Sequence, residues 1–423
     1  MGHYGRNYIA EDERMTNKQA AIKIIKRLNR NGFQALLAGG CVRDMLLRRP
    51  ASDYDVATNA RPGDVIKLFT RTLKVGAKFG VVIVLLEGQQ VEVATFRTET
   101  GYTDGRHPSV VDFTGAAEDA GRRDFTINGM FYDPVKEKVI DYVGGKADLK
   151  KKLIRTIGKA TERFGEDYLR MLRAVRFSTQ LRFAIGPATW SAIRSNAKNI
   201  TKISGERIAI EMEAILVNPN RSAGTSMLAK SGLAKAIFPG FTSERVKFAA
   251  NVLGRLRKKV DFALALAAFF AGCPTEYALK SCRILKLSRS RNRHIKFLLT
   301  NRGKLLDDKM SLAELKMVLA GPYFWDLYEL QRAIQKAGPD GKEGIAALTR
   351  LRKRIKALGD IELRPKPLLN GHDLIRLGAV PGPALGHLAQ ELYIAQLEGK
   401  LQTPQQARHW AKSWLQKHRM TEK

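Results

Sequence analysis

Residues 36–58, LLAGGCVRDMLLRRPASDYDVAT, limit what this chain can fold into more than any other stretch. Their pattern predicts a short apolar strand, a Gly39-Gly40 turn, a helix, and a second strand that carries Asp53 and Asp55. Side chains two apart in a strand project from one face, so both carboxylates are expected to point at one spot. Two carboxylates beside a glycine turn and a helix N-terminus are typical of a site for divalent metal and phosphate.

The charge balance narrows the class of partner. The chain has 423 residues, with 73 Lys and Arg against 41 Asp and Glu, which gives a formal net charge of +32. The positive electrostatic field of such a charge favours binding of a polyanion, and nucleic acid is the commonest polyanion. The length also allows two or more domains with their own cores.

Cysteine usage and hydropathy predict a cytoplasmic protein. The chain has three cysteines and no C-x-x-C pair, so neither a disulfide framework nor a zinc site is expected. The N-terminal MGHYGRNYIAEDER lacks the apolar core of a signal peptide. The longest apolar run, 262–271, is too short to span a bilayer and is predicted to form a buried helix. We therefore expect no membrane partner.

The character of the chain changes near residue 160. Before it, strands and helices alternate, and residues 73–96 predict two strands joined by a hairpin at Glu87-Gly88. Residues 98–121, rich in Gly, Thr, Asp and Ser, are predicted to be a loop. After it only helices are predicted, so the expected fold is an α+β head followed by a long, basic, all-helical arm. The predicted helices span 163–180, 188–197, 204–217, 221–231, 244–257, 261–271, 275–286, 289–301, 311–320, 323–337, 341–358, 371–377, 383–398 and 403–418.

The carboxylates of the opening stretch suit nucleotidyl transfer. That chemistry needs charge neutralisation and in-line positioning more than a covalent nucleophile, and two metal ions about 4 Å apart supply both. Asp53 and Asp55 are the predicted metal ligands. Glu92, between two valines of the second hairpin strand, is either a third catalytic carboxylate or a solvated strand residue. The chain has no Walker A lysine and no G-x-G-x-x-G after a strand, which disfavours ATP hydrolysis and dinucleotide binding.

Four motifs in order identify a family resemblance. The opening stretch is followed by VEVATFR, RRDFTING and EDYLRMLRAVRF. Together they resemble the nucleotidyltransferases of the class II CCA-adding enzyme and bacterial poly(A) polymerase family, over residues 16–217. LLNGHDLIRLGAVPGPALGHL is similar to that family's tail, whereas 235–360 matches only as a helical arm.

The resemblance implies a polymerase β-like head with a small mixed sheet, followed by an all-helical neck, body and tail. The implied segments are a disordered N-terminus (1–15), the catalytic nucleotidyltransferase head (16–150), a nucleotide-selecting neck (151–217), a helical body that binds RNA (218–362) and a helical tail (363–423).

The resemblance also assigns the base reader. Asp167 and Arg170, three apart and expected on one helix face, match the motif that reads the incoming base. A carboxylate accepts from the exocyclic amine of cytosine or adenine, and a guanidinium donates to the ring nitrogen beside it. Guanine and uracil present the opposite pattern, so CTP and ATP would be accepted without a template.

The remaining nucleotide contacts are implied in the same way. Gly39, Gly40, Arg43 and Asp44 would contact the triphosphate or brace its loop; Arg123, Asp124 and Asn128 would lie at the ribose; Arg173 and Arg176 would reach phosphates or form a solvated basic face. Arg207 and Glu211 are interpreted as structural support for the base-reading helix.

Weaker signals separate CCA addition from poly(A) synthesis. Residues 76–81, GAKFGV, lack the basic pattern of the poly(A) polymerases, and the loop YTDGR contains Asp104 and Arg106, similar to the pair that helps CCA enzymes switch from CTP to ATP. The sequence INGMFYD and the high charge keep poly(A) polymerase, or a partial CC- or A-adding enzyme, as alternatives. We predict CCA addition to the 3′ end of tRNA, with pyrophosphate release and two Mg²⁺ ions, Mn²⁺ being the alternative.

Two other classes explain the sequence less well. A non-catalytic RNA-binding protein accounts for the charge but not for a carboxylate pair beside a glycine turn. A metal-dependent phosphohydrolase usually has clusters of His and Asp, whereas the seven histidines here are scattered along the sequence. His107, His294, His372 and His387 are interpreted as surface or packing residues.

Overall fold

The computed structural model describes residues 15–74, 80–101, 110–339, 341–359 and 361–419. The predicted loop pair Asp104 and Arg106 and most of the GAKFGV segment lie outside the described residues, as does nearly all of the N-terminal segment predicted to be disordered. The chain divides into two compact units. The first runs to Val246 and includes Ile284–Lys286; the second comprises Lys247–Arg283 and the chain from Leu287. The proposed segment boundaries at 150, 217 and 362 stay predictions.

The strands lie mainly in the first 140 residues. They are β1 (Ala35–Ala38), β2 (Asp55–Thr58), β3 (Thr72–Leu73), β4 (Val81–Leu86), β5 (Gln89–Thr95), β6 (Arg97–Thr100), β7 (Val110–Phe113), β8 (Phe131–Asp133), β9 (Lys138–Ile140), β10 (Leu153–Ile154) and β11 (Ala184–Ile185).

Helices occupy most of the remaining chain. They are α1 (Asn17–Arg30), α2 (Gly40–Leu46), α3 (Pro62–Leu68), α4 (Ala116–Arg122), α5 (Gly145–Lys150), α6 (Ala160–Glu166), α7 (Leu169–Leu181), α8 (Pro187–Asn196), α9 (Gly205–Leu216), α10 (Arg221–Lys230), α11 (Leu233–Ile237), α12 (Ser243–Arg255), α13 (Phe262–Phe269), α14 (Thr275–Ile284), α15 (Arg289–Thr300), α16 (Leu312–Leu319), α17 (Phe324–Ala337), α18 (Gly341–Leu358), α19 (Gly371–Arg376), α20 (Pro383–Leu397) and α21 (Pro404–Arg419). The prediction of an α+β head followed by helices is confirmed.

A mixed sheet organises the head. Its strand order is β3-β4-β5-β2-β1-β8-β9, with β2 and β5 parallel and the other neighbours antiparallel. One face packs on a small apolar core in which Phe96 and Phe131 meet edge to face, with ring centres 5.7 Å apart. Edge-to-face contact suits the quadrupoles of two aromatic rings. This core fixes the strands whose ends carry the polar residues.

Local sequence signals explain the element boundaries near the site. Thr16 and Gln19 form a capping box at the start of α1. The predicted hairpin is confirmed, because β4 and β5 pair through a turn in which Glu87 and Gly88 have φ values of 47° and 80°. Two consecutive residues with positive φ are the signature of a tight hairpin turn that follows the natural strand twist.

Three predictions about this unit are wrong. The described part of residues 98–121 is not a loop, because β6 pairs with β7 and α4 follows them, while residues 102–109 lie outside the described chain. Strand structure also continues past residue 160, since β11 pairs in parallel with β10. Asp53 precedes β2 instead of lying within it. Strands of two to four residues such as β6, β7 and β11 carry too little hydrophobic alternation to be recognised from sequence.

The predicted helix over 163–180 is interrupted. Helix α6 ends at Glu166 and α7 begins at Leu169, with Asp167 in an extended conformation between them. The Asp167 carboxylate accepts a hydrogen bond from the Leu169 N–H at 3.0 Å. Such side-chain bonds to a nearby backbone N–H compete with helical hydrogen bonds, which explains the break.

The second unit is helical in its described part. Every residue of α13 is buried, as predicted for this apolar run, and the helix packs against α15 and α17. A separate apolar cluster joins α19, α20 and α21 through Leu374, Leu388 and Ala407. None of the helices described here has both the length and the apolar character needed to cross a membrane.

Candidate active site

Strand register brings the carboxylates to the glycine turn. Ala38, the last residue of β1, lies opposite Asp55, the first residue of β2. In the parallel pair, Val56 is opposite Val93, so Asp55 and Glu92 each precede a buried valine on neighbouring strands. Because strand side chains alternate, both carboxylates face away from that buried layer. Glu92 therefore lies on the face predicted for a third catalytic carboxylate.

Asp53, Asp55 and Glu92 line one cavity of about 430 Å³. Loss of surrounding water and then the negative charges of Glu92 and Asp53 raise the pKa of Asp55 to about 6. Within the described chain, no Lys or Arg lies at ion-pair distance from any of the three. Mutually repelling oxygen ligands are what a divalent cation requires, so this cluster fits a hard metal ion.

The glycine turn approaches an arginine closely. Gly39 has φ 76° and ψ −133°, a conformation that L residues rarely adopt, and a Cβ at this position would lie 3.3 Å from Nη1 of Arg123. Arg43, on the following helix, donates two hydrogen bonds to Asp44 and a third to Asn128 at 2.7 Å. Asp44 thus holds Arg43 in place, and the predicted contact of this pair with the triphosphate or its loop stays a prediction.

A polar cavity of about 590 Å³ adjoins the turn. It contains seven arginines and four aspartates, so its wall is strongly basic with embedded carboxylates. Most of the nucleotide-binding residues predicted from sequence line it together. The residues that were predicted from sequence and that line this cavity are Gly39, Gly40, Arg43, Asp53, Asp55, Arg123, Asp124, Asn128, Asp167, Arg170, Arg173 and Arg176.

Asp124 is buried beneath this cavity and is fully engaged. One carboxylate oxygen accepts from the Phe125 N–H and from Asn128, and the other accepts from Arg173 at 2.7 Å. Burial alone would raise the pKa of Asp124, but Arg173 outweighs it and the pKa lies below the usual value. The same pairing raises the pKa of Arg173. The Asp124 carboxylate therefore fixes Arg173, and its predicted contact with ribose stays a prediction.

The two base-reading residues lie at the junction of α6 and α7. Asp167 accepts from Arg207 at 2.7 Å through the oxygen that does not bind Leu169. Arg170 donates to the Glu166 carboxylate, and to the backbone oxygen of Arg163 at 2.9 Å. Asp167 and Arg170 are thus held by different partners and are not paired with each other. Both keep further acceptor and donor capacity for a ligand.

Several lining residues were missed or underestimated from sequence. Phe177 lies beneath three guanidinium groups, with Arg43, Arg173 and Arg176 at 5.3, 5.2 and 4.3 Å from its ring centre. Such cation–π contacts hold arginines in place without consuming their hydrogen-bond donors. The signal was an aromatic residue one turn of helix beyond Arg173 and directly after Arg176.

Arg122 and Arg207 are the other additions. Arg122 lines the cavity and, together with Arg123, binds Asp119, whose side chain is 1% exposed. Arg207 was interpreted as structural support for the base-reading helix; it forms an ion pair with Asp167 and also lies in the cavity wall. Glu211 lies 2.8 Å from Arg176, yet burial raises the pKa of its carboxyl group.

Comparison with known families defines the class of protein. Residues 35–155 match the model of the poly A polymerase head domain, and residues 182–245 match the model described as the probable RNA and SrmB-binding site of polymerase A. The matched head contains the sheet, the glycine turn and the carboxylate cluster. The fold and the site together are those of a nucleotidyltransferase.

Longer comparisons identify the family within that class. The chain is 36% identical to the CCA-adding enzyme of Lactobacillus gasseri over 90% of this chain and 93% of that one. It is 34% identical to the enzyme of Geobacillus thermodenitrificans over 96% and 98%. The crystal structure of the Bacillus stearothermophilus CCA-adding enzyme in complex with CTP superposes with a TM-score of 0.75 at 30% identity, covering 96% of this chain and 99% of that one. The chain belongs to the CCA-adding enzyme family, whose members, as nucleotidyltransferases, generally use divalent metals.

Proposed function

We propose that this protein adds C, C and A to the 3′ end of tRNA from CTP and ATP without a template. In each cycle the 3′-hydroxyl oxygen of the RNA bonds to the α-phosphorus of the incoming nucleotide, and the bond to pyrophosphate breaks. One observation carries the proposal: the acidic cluster, the glycine turn and the two base-reading residues border a common polar site. Membership of the CCA-adding enzyme family supports it.

Asp53 and Asp55 would hold the divalent metal, with Glu92 beside them. The raised pKa of Asp55 and the lack of an ion-pair partner for these carboxylates in the described chain support this assignment. Two Mg²⁺ ions, replaceable by Mn²⁺, would supply neutralisation of the triphosphate charge and activation of the attacking hydroxyl. Carboxylate oxygen is the ligand that such hard cations prefer.

The basic wall would bind the triphosphate and the sugar. Arg43, Arg173 and Arg176 are held over Phe177, so their guanidinium groups are oriented before the ligand arrives. Preorganised cations lose little conformational entropy on binding phosphate oxygens. The turn at Gly39 lets backbone approach the same phosphates closely. Asn128, which shares Arg43 and Asp124 as partners, would lie at the ribose.

The base would be selected by Asp167 and Arg170. Arg207 fixes the carboxylate of Asp167, and Glu166 fixes the guanidinium of Arg170. The remaining hydrogen-bond acceptor and donor positions of these two side chains therefore point in set directions. Cytosine and adenine share an amine next to a ring acceptor, which matches this pair. Uracil and guanine would leave the half-buried carboxylate of Asp167 facing a carbonyl oxygen, which is unfavourable.

The excess of basic residues would hold the RNA. A chain with a net charge of +32 attracts a polyanion through phosphate contacts, and tRNA affinity should fall steeply as salt rises. We further propose that the protein acts in the cytoplasm; its three cysteines, Cys41, Cys273 and Cys282, are buried and form no disulfide, as suits a reducing compartment.

Product analysis tests this function directly. The full chain is incubated with Mg²⁺ and tRNA that ends at the discriminator base, with labelled CTP alone, labelled ATP alone, or both. CCA addition predicts two C residues from CTP alone and a single terminal A only when both are present. Long tails from ATP alone would instead identify a poly(A) polymerase. Absence of labelled RNA in all three reactions would refute a nucleotidyltransferase.

A further inference from the structure

A separate group of ionisable side chains lies within the second compact unit. Asp261 caps the N-terminus of α13, His294 lies on α15 and Asp326 lies on α17. One nitrogen or oxygen atom from each residue lies within 4.8 Å of the other two. The three residues are far apart in sequence, so only the packing of the helices brings them together.

His294 is the centre of this group, and it is buried with 7% of its surface exposed. Its Nε2 lies 3.2 Å from an oxygen of Asp326, but no described residue is aligned to form a hydrogen bond with it. Its Nδ1 lies 3.5 Å from Oδ2 of Asp261. The ring stacks on Tyr323 with centres 3.9 Å apart, which fixes its orientation. A buried nitrogen without a hydrogen bond is costly unless a ligand satisfies it.

Each carboxylate keeps one oxygen for this space. Oδ1 of Asp261 accepts from the Leu264 N–H at 2.8 Å, and Oδ1 of Asp326 accepts from Arg257 at 2.6 Å. Oδ2 of Asp326 faces Nε2, the nitrogen that would bind an ion, and Oδ2 of Asp261 faces Nδ1 on the same ring. Metal-binding carboxylates are commonly oriented in this way by hydrogen bonds to their second oxygen.

We propose that Asp261, His294 and Asp326 bind a divalent transition metal ion of the Zn²⁺ type. In a tetrahedral zinc site with bonds of about 2.0–2.1 Å, neighbouring ligand atoms lie about 3.3 Å apart. The 3.2 Å between Nε2 and Oδ2 of Asp326 fits that edge, and the two atoms are not aligned for a hydrogen bond. The Asp261 side chain, 54% exposed, is free to close on the ion and gives it a path from solvent.

The ligand set selects the kind of ion. Imidazole suits Zn²⁺, Co²⁺ and Ni²⁺, whereas Mg²⁺ and Ca²⁺ prefer oxygen ligands alone. The ion would connect α13, α15 and α17 and so stabilise the second unit. This site uses none of the residues assigned to nucleotide binding, so it stands or falls separately from the proposed function.

Metal titration of the full-length protein tests the site. The chelator-treated chain carrying Asp53→Asn and Asp55→Asn is titrated with Zn²⁺ by calorimetry and with Co²⁺ by visible absorption, in excess Mg²⁺. We expect one equivalent of Zn²⁺ or Co²⁺ to bind. The visible spectrum of bound Co²⁺ should indicate a low coordination number, and the midpoint of thermal unfolding should rise. Failure to bind any equivalent would overturn the proposal.

Asparagine substitutions locate the ion. In the same background, Asp261→Asn and Asp326→Asn should each weaken binding by at least about 10-fold, and by about 100-fold together. Asp261→Asn keeps an amide oxygen for the helix cap, so it tests the ligand without removing the cap. The exposed His372→Asn is the matched control and should bind as tightly as its parent. Unchanged binding in the double asparagine variant would overturn the assignment.

Discussion

The polar site has an acidic wall and a basic wall, and carboxylates have opposite surroundings in the two: they lack ion-pair partners among the described residues in the first and are paired with arginines in the second. On the acidic wall, Asp53, Asp55 and Glu92 crowd together, and in the described chain no basic side chain pairs with them. On the basic wall, the buried Asp124 and the half-buried Asp167 are each joined to an arginine at 2.7 Å. The acidic wall therefore carries negative charge that Arg123 offsets only in part at Asp55 and that a bound cation would balance. The basic wall instead uses its carboxylates to orient cations. The contrast separates the carboxylates that would take part in the chemical step from the carboxylates that hold arginine side chains in position.

The largest expected effect is on the acidic wall. Asp55→Asn should lower the rate of CMP and AMP incorporation by more than about 1,000-fold, or about 4 kcal/mol, because a metal ligand is lost. Its free energy of unfolding should stay equal or rise, since one of three repelling carboxylates is neutralised. Single-turnover incorporation and urea unfolding measure the two quantities. Asp64→Asn, on α3, is the control variant. An Asp55→Asn protein that was less stable but still active would contradict the difference between the two walls.

The second effect should be on stability, at the basic wall. Asp124→Asn leaves the half-buried Arg173 without its nearest carboxylate and should lower the free energy of unfolding by about 3 kcal/mol. Urea unfolding followed by circular dichroism measures it. Glu162→Gln removes an exposed ion pair with Lys159 and should leave the midpoint unchanged. Equal stability of the Asp124→Asn protein and its parent would contradict the structural role of this carboxylate.

The third effect should be on nucleotide choice. Arg170→Ala should reduce the preference for CTP over UTP by about 30-fold, equivalent to about 2 kcal/mol, because the donor to the ring nitrogen is removed. Arg207→Ala should reduce it less, since Asp167 keeps its bond to the Leu169 N–H. The ratio of kcat/KM values for the two nucleotides measures the effect. The exposed Arg194→Ala is the control, and unaltered discrimination by Arg170→Ala would exclude it as a base reader.

The smallest effect should appear as a dependence of stability on pH. Burial raises the pKa of Asp119, but Arg123 and Arg122 outweigh it, so the pKa is lowered on folding. This carboxylate therefore stabilises the fold above its unfolded pKa of about 4, and the contribution disappears as the pH falls through the folded value. Asp119→Asn should cost about 1.5 kcal/mol near neutral pH and progressively less in acid. The midpoints of urea unfolding of both proteins, compared from neutral to acid pH, measure this cost. A stability difference that grew as the pH fell would contradict a lowered pKa of Asp119.

Periodic patterns made much of the fold predictable. Strand β1, the β4–β5 hairpin and the helices of the second unit follow hydrophobic spacing and turn residues that can be read locally. The β6–β7 hairpin and the break at Asp167 could not be recognised, because the first lacks alternation and the second depends on one side-chain hydrogen bond.

The site was predictable in its members and not in its pairings. Motifs identify Asp167 and Arg170, but their partners Arg207 and Glu166 depend on how α6, α7 and α9 meet. His294 shows the same limit. Its burial agrees with a packing residue, yet its two carboxylate neighbours come from helices that spacing cannot connect.

The parallel pairing of β2 and β5 restricts where this chain can gain or lose length. Val56 faces Val93 across the pair, so a single residue inserted into β5 before Glu92 would change the face of the carboxylate or force the strand to bulge. The turn at Glu87-Gly88 carries no such constraint, because it lies beyond the last rung shared by β4 and β5. Length variation among homologous chains should therefore concentrate at that turn, and the stretch from Gln89 to Val93 should keep a constant length.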